Sequence, residues 1–426
     1  MILVLPINAR LLQGILMNHR AVPILVLLSL FALAACGGQN SSSLPSARSA
    51  DYPLSAPGSI AAPSDAVKVC GEYALGYARC FALRRTDIAS RIDAGLTNAM
   101  VIGYGYGPAE LQSAYLLPSS TRGTGQTVAI VDAFDDPKAE IDLRVYRRNF
   151  GLPACTTANG CFKKLNQNGM QSHYPPSDDG WAMEISLDVD MVSAACPKCH
   201  IMLVEATDNY LNNLGKAVDT AARLRANAIS NSYGGSEFNA TNLDYNHPGV
   251  IITASSGDSG YGPQQPASYG SVVAVGGTSL LLSPRAETVW NGAGSGCSEL
   301  VPKPSWQNDA ARGCHKRSEA DVAAVADPNT GVAAYDSFGT GGGWNQFGGT
   351  SVSSPIIAAV YALAGNAATQ TAAKQIWVDA GRHLFDVTSG SNDNGSCPRT
   401  LPYMCTGGRG YDGPTGWGTP KGVTAF

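Results

Sequence analysis

The chain has 426 residues, enough for one large domain with additional segments. Only 15% are charged, the formal net charge is −4, and 48 glycines suit a loop-rich α/β protein. That balance gives no reason to expect nucleic acid as a partner, and beyond the N-terminus no stretch is apolar and long enough to cross a bilayer.

Residues 17–36 read MNHRAVPILVLLSLFALAAC, a basic start, an apolar core and small residues before Cys36. This is the pattern of a secretory signal. Met17 is a candidate start, because residues 1–16 fit no signal pattern. Leu33-Ala34-Ala35-Cys36 resembles a bacterial lipobox, with Cys36 as the lipidated first residue; the plainer reading is an ordinary cleaved signal. Residues 1–36 are therefore expected to be a lipoprotein-type signal peptide. The Ser-, Ala-, Pro- and Gly-rich run 37–66 is expected to be a flexible tether, and residues 67–120 a short leader. The main domain is expected over 121–426.

Eleven cysteines in an exported chain imply disulfides. Setting Cys36 aside leaves ten, and neighbours pair naturally as Cys70–Cys80, Cys155–Cys161, Cys196–Cys199, Cys297–Cys314 and Cys397–Cys405, although sequence alone does not prove the connectivity. Cys196-Pro-Lys-Cys199-His200 also has the spacing of a c-type haem attachment site. His200 opens an apolar strand and no partner ligand stands out, so a local disulfide is the preferred reading.

Residues 107–115 read as a short helix. From Gly123 strands and helices alternate. VAIVDAF (128–134) is a strand, followed by a helix over PKAEIDLRVYRRNFG. HIMLVEA (200–206) is a strand and NNLGKAVDTAARLRANA (212–228) a helix. AISNSYG, VIITASSGD and SVVAVGGTSL are short β-rich runs ending in glycines. Strands that end in loops carrying Asp or Ser suit a parallel sheet with a site at its carboxyl edge.

Three stretches carry candidate chemistry. In GWAMEISLDVDMVSAA (180–195), Glu184 and Asp188 are spaced i, i+4. On a helix they share a face, about 6 Å apart along the axis. The alternation of Ile185, Leu187, Val189 and Met191 is also strand-like, and a strand would separate the carboxyls by about 13 Å. The pair reads either as a solvated helix face or as two carboxyls sharing a proton. In ASSGDSG (254–260), Asp258 is either an Asx-turn residue or a protonated carboxyl that donates to an oxyanion. In GTSVSSP (349–355), Ser351 sits at a glycine-marked turn into an apolar helix, with Pro355 expected in the first turn. A helix N-terminus offers N–H groups to developing negative charge, so Ser351 is a candidate nucleophile.

Together these motifs resemble the sedolisin family of serine-carboxyl peptidases, whose pattern is a Glu-x-x-x-Asp helix, a Ser-Gly-Asp-Ser-Gly loop and a Gly-Thr-Ser-x-x-x-Pro helix start. The resemblance runs from about Gly123 to Pro420. It implies a subtilisin-like three-layer α/β fold with a mostly parallel central sheet, and an endopeptidase acting on protein or peptide substrates at acidic pH. Ser351 would be the nucleophile and Glu184 the general base. Asp188 would orient Glu184 and share its proton, and Asp258 would complete the oxyanion hole with the Ser351 N–H. Asp132 would extend the acidic network, and Tyr233 stands where relatives often carry Trp. None of the six histidines, His19, His173, His200, His247, His315 and His383, opens a His-Gly-Thr-type helix.

The resemblance also implies one structural Ca²⁺, held by Asp386, Asp412 and the carbonyls of Val387, Gly408 and Gly410. Hard oxygen ligands from glycine-rich loops suit that ion. The run 287–310, with Trp290 and Trp306, would line a substrate groove or form a disulfide-braced surface loop. The leader is shorter than the pro-domains usual in the family, and cleavage near Ser120–Gly123 would free the enzyme from its lipid. The resulting expectation is a monomeric enzyme at the cell envelope, in the periplasm or on the outer membrane, anchored through lipid on Cys36 or released from it. The competing expectation is a catalytically inactive binding lipoprotein on the same fold.

Overall fold

The computed structural model describes residues 65–87 and 104–426. The signal peptide, Cys36, most of the tether and the middle of the leader lie outside the described residues. Three short strands come first, β1 (Ala66–Lys68), β2 (Arg79–Cys80) and β3 (Leu83–Arg85), then helix α1 (Pro108–Ala114). An alternating stretch follows: β4 (Thr127–Ala133), α2 (Ala139–Asn149), β5 (Phe162–Asn166), α3 (Asp179–Ala195), β6 (His200–Ala206), α4 (Leu211–Arg223) and β7 (Ala228–Asn231). The remainder is mostly strand: β8 (Tyr233–Ser236), β9 (Ile251–Ser255), β10 (Gln264–Gln265), β11 (Val273–Leu282), β12 (Arg285–Val289), β13 (Gly296–Pro302), β14 (Lys316–Glu319), β15 (Val322–Val325), β16 (Val332–Asp336) and β17 (Gly343–Gly348). Helices α5 (Thr350–Ala364) and α6 (Lys374–Val378) and the pair β18 (Leu384–Phe385) and β19 (Thr419–Pro420) close the chain.

Side-chain alternation decides the layering. Val128 and Ile130 of β4 join one core cluster, while Ala129, Val131 and Ala133 join the other. The same split holds in β6, where Ile201 and Leu203 face opposite to Met202 and Val204. Successive strand residues point to opposite faces, so a strand apolar on both must be covered on both. Helices α3 and α5 pack into the first cluster and α4 into the second. The central sheet has eight strands in the order β12-β11-β9-β7-β4-β6-β5, with β15 also on β11. Only the β11–β12 pairing is antiparallel. This is the expected three-layer, mostly parallel architecture.

Two details of the helices differ from the sequence expectation or resolve it. Residues 179–195 form a helix, and every residue from Gly180 to Ala195 is buried. A helix covered on all sides has no polar stripe to mark a 3.6-residue period, which is why its apolar residues could alternate as in a strand. The Asp178 carboxylate caps it, accepting from the N–H groups of Gly180 and Trp181 at 3.0 Å each. Pro355 lies in the second turn of α5, not the first, because the helix starts at Thr350. A proline there leaves the carbonyl four residues earlier without its helical donor. That carbonyl belongs to Ser351, and the Ser232 hydroxyl donates to it at 3.4 Å.

The five disulfides join Cys70–Cys80, Cys155–Cys161, Cys196–Cys199, Cys297–Cys314 and Cys397–Cys405. With Cys196 and Cys199 bonded to each other, no thiols remain at the C-x-x-C-H run for haem attachment. Residues 66–85 are built into the body. β1 and β3 extend β17 and β16 into a four-stranded sheet, and β2 pairs with β8. Among the described residues no helix is long and apolar enough to cross a membrane.

The cap on α3 supports the helix that carries Glu184 and Asp188. Replacing Asp178 with Ala is expected to lower the unfolding free energy by about 1 kcal/mol in urea titrations, and a change within error would show that the cap contributes nothing.

Candidate active site

Glu184 and Asp188 lie one turn apart on α3, fully buried. Asp188 Oδ1 accepts from the Ser232 hydroxyl at 2.8 Å. Glu184 Oε2 accepts from the Ala82 N–H at 2.9 Å. The remaining oxygens, Glu184 Oε1 and Asp188 Oδ2, are buried with no hydrogen-bond partner. One proton between them would satisfy both. Burial is the first cause holding both side chains well above the usual carboxyl range; the neighbouring Asp188 charge adds to it for Glu184, and that of Asp132 for Asp188. Asp132, at the end of β4, is fully buried with neither oxygen partnered. Burial, then Glu184, then Glu205 push its pKa well up.

Ser351 is the second residue of α5 and also fully buried. Its hydroxyl donates to the Ser232 carbonyl at 3.1 Å and accepts from the Phe81 N–H at 3.1 Å. Ser351 is also close enough to Glu184 to be among the effects drawing the Glu184 pKa back down. Ser232 was not singled out in the sequence. It bonds Asp188, the Ser351 carbonyl and the Ser351 hydroxyl through its side chain and backbone, yet a serine in AISNSYG carries no local signal for that role.

Asp258 sits in the loop after β9. Its Oδ1 accepts from the Thr350 N–H at 2.8 Å and the Thr350 hydroxyl at 2.9 Å, which ties the loop to the start of α5. Oδ2 is buried without a partner. Burial pushes this pKa up to about 7, against the pull of the two Thr350 bonds. Below that pH the carboxyl carries a proton and Oδ2 becomes a donor. Gly349 has φ 94°, and a side chain there would start 2.8 Å from Asp258 Oδ2. The structure thus brings together Ser351, Glu184, Asp188, Asp258 and Asp132, and their hydrogen bonds go to no histidine. The arrangement offers a nucleophile, a proton acceptor with a second carboxyl behind it, and a protonated donor facing the space beside Gly349.

Tyr233 is buried beside this cluster, donating to Asn231 Oδ1 at 2.7 Å and meeting the Tyr245 hydroxyl at 3.1 Å. Trp290 is buried against Gly277 and Gly292, and Trp306 stacks near Trp377 at 6.1 Å. Both pack inward. The backbone between them contributes instead, because the Gly294 N–H donates to Gly257 O at 2.7 Å and so backs the Asp258 loop.

The candidate calcium ligands come together from two distant segments. Asp386 Oδ2 accepts from the Gly410 N–H and Asp412 Oδ2 from the Gly408 N–H, each at 3.0 Å. Two carboxylates thereby flank one glycine loop, and burial, with the Asp386 charge adding to it, pushes the Asp412 pKa up to about 7. This donor set suits a hard cation. Among the described residues no three His, Cys, Asp or Glu side chains gather as a metal cluster, so backbone carbonyls would have to complete it.

In sequence and fold the chain is similar to known peptidases. The chain is 28% identical to kumamolisin of a Bacillus species over 362 residues, covering 75% of this chain and 62% of that protein. It is 26% identical to sedolisin of a Pseudomonas species, covering 74% of this chain and 60% of that protein. The solved Pseudomonas sedolisin, a serine-carboxyl proteinase bound to two molecules of pseudo-iodotyrostatin, superposes with a TM-score of 0.62 at 25% identity. It covers 75% of this chain and 96% of that one. The profile of the subtilase family matches residues 178–400. This chain is a sedolisin-type member of the subtilase family. It spans about three-fifths of the length of the two curated sedolisins it matches.

The buried carboxyls set the sign of the pH dependence of stability. Asp258 and Asp136 rise to about 7 and Glu205 to about 9 in the folded state. Each therefore holds its proton more tightly folded than unfolded, so stability is full below the unfolded pKa near 4 and is lost as pH rises through the folded values. The melting temperature is expected to fall between pH 4 and pH 9; a rise over that range would contradict the assignment.

Proposed function

We propose that the protein is an exported serine-carboxyl endopeptidase that cleaves protein or peptide substrates at acidic pH. The observation that carries this reading is the histidine-free cluster in which Ser351 and the Glu184–Asp188 pair are fully buried and Asp258 is tied to the start of α5. In the proposed cycle Ser351 Oγ attacks a substrate carbonyl carbon while its proton passes to Glu184. Asp188 shares the proton already between the two carboxyls, and Ser232 holds Asp188 in place. The carbonyl oxygen, now negative, is stabilised by protonated Asp258 and by the amides at the start of α5. Glu184 returns its proton to the leaving amine, and water then releases the acyl group from Ser351. The mechanism needs Asp258 protonated, so activity should fall as pH rises through about 7. Attachment to a membrane through lipid on Cys36, a cell-envelope location and a monomeric state complete the reading.

One Ca²⁺ is proposed at Asp386 and Asp412, with the carbonyls of Val387, Gly408 and Gly410. When bound it would neutralise the two carboxylates and brace the C-terminal loops; it takes no part in the chemistry.

The test is casein hydrolysis from pH 3 to 8 by the wild type and by Ser351→Ala and Glu184→Gln. Activity is expected in the acid range and lost in both variants. Removing one oxyanion donor typically costs about 10²–10³-fold in rate, so Asp258→Ala should fold but be nearly inactive. Peak activity above pH 8, or an Asp258→Ala variant that keeps most of its rate, would refute the assigned roles. Calcium binding to the native state alone raises stability. A chelator is therefore expected to lower the melting temperature, and an unchanged value would remove the ion from the assignment.

A further inference from the structure

The loop that carries Asp258 is held from two sides, and only the inner side belongs to the helix of Ser351. There Thr350 bonds Asp258 Oδ1 and also accepts from the Gly257 N–H at 3.2 Å. These contacts fix one carboxyl oxygen and the backbone just before it. The backbone beyond Asp258 needs other support. Gly257 and Gly260 flank it with φ 110° and 72°, and glycine has the most conformational freedom of any residue. Asp258 Oδ2 keeps one direction only if this loop is also clamped from outside.

The outer clamp comes from two segments far along the chain. The first is the backbone of 292–295. The Gly260 N–H donates to Gly292 O at 3.1 Å and the Gly262 N–H to Ser295 O at 2.7 Å, beside the Gly294–Gly257 bond already described. The Ser256 hydroxyl donates to Gly294 O at 2.8 Å. The second is the turn 391–396, which runs into the Cys397–Cys405 disulfide. Asn394 Nδ2 donates at 2.6 Å to Ser259 O, the carbonyl of the residue after Asp258. The Ser396 N–H donates to Asn394 Oδ1 at 3.2 Å, which turns the amide so that its nitrogen faces Ser259. A side chain on Gly260 would begin 2.6 Å from Asn392 O and 2.9 Å from Asn394 Nδ2, so turn and loop are in direct contact. Asn392 joins the two segments. It is fully buried, and its Nδ2 donates to Ala293 O and, at 2.8 Å, to Ser295 Oγ. The turn is fastened to the disulfide in its own right. The Asn392 N–H and the Ser391 hydroxyl both donate to Cys405 O, at 3.0 and 2.7 Å, and the Ser295 hydroxyl donates to Met404 O.

We propose that Asn394 is a positioning residue for the reaction. Anchored through Asn392 and the Cys397–Cys405 loop, it holds residues 257–262 so that Asp258 Oδ2 stays aimed at the space beside Gly349. The proposal rests on the peptidase reading above, and within it on the role of Asp258. Asn394 touches no reacting atom; it acts through Asp258. A donor for charge that forms only in the transition state governs the rate and leaves ground-state binding alone. A misplacement of ~1 Å can cost about 10²-fold, and Asn394→Ala removes one of several outer bonds, so a loss of about tenfold is expected.

The experiment is a double-mutant cycle in the full chain: wild type, Asn394→Ala, Asp258→Ala and the two replacements together. Each is assayed at the pH of the wild-type optimum, below its own melting transition, on an internally quenched peptide copied from a bond that the wild type cuts in casein. Asn394→Ala should lower kcat about tenfold and leave KM within about twofold. In the Asp258→Ala background the same replacement should change kcat by less than about twofold, because the group it acts through is gone. Replacing Cys397 and Cys405 together by Ser should give the same pattern, a loss of kcat with Asp258 present and none without it. An unchanged kcat in Asn394→Ala, a loss confined to KM, or a tenfold loss that persists without Asp258 overturns this proposal and leaves the peptidase reading standing. A wild type that cleaves nothing from pH 3 to 8 overturns both.

Discussion

A carboxyl buried without a cation must keep its proton, and the rest of this site follows from that. Asp132, Glu184 and Asp188 are fully enclosed, and among the described residues no positive side chain pairs with them. Burial makes their ionisation expensive, so the pair one helical turn apart is held well above the usual carboxyl range. The same cost keeps Asp258 protonated into the neutral range and turns an acceptor into a donor. A histidine-based site relies on a base that is neutral near pH 7; this one relies on acids that stay neutral because the protein surrounds them.

That enclosure demands a helix with no exposed side. Residues 180–195 of α3 are buried throughout, held between α5, the sheet and α2. The polar residues of the helix are then each answered by a specific partner. Asp188 takes Ser232 and Asp190 takes the Tyr335 N–H, while Ser186 donates to Asp136. Pro355 belongs to the same economy of partners. By freeing the Ser351 carbonyl it gives the Ser232 hydroxyl a second acceptor, which links α5 to α3.

Residues 66–85 complete this structure. β1, β2 and β3 fill edges of two small sheets that would otherwise present unpaired backbone, a state that sheet edges generally avoid. Glycines at 234, 235 and 349 leave room for the incoming backbone and the Phe81 ring. A surface shaped to accept a strand is thus occupied by one from the same chain.

Much of this could be read along the chain because the relevant signals are local. Alternating β and α runs, an i, i+4 carboxyl pair, glycine turns before Asp258 and Ser351, and disulfides between near neighbours are all properties of short segments. The spacing 184/188 could be stated from sequence, yet its burial could not, since a solvated helix face has the same spacing. Ser232 gave no signal because its partners lie 44 and 119 positions away. The meeting of Phe81 with Ser351, 270 residues apart, was equally hidden. Spacing within one helix or turn is set by backbone geometry, which each segment carries with it. Which groups lose their water, and which distant strand fills a cleft, is set by packing, and packing exists only once the segments have met.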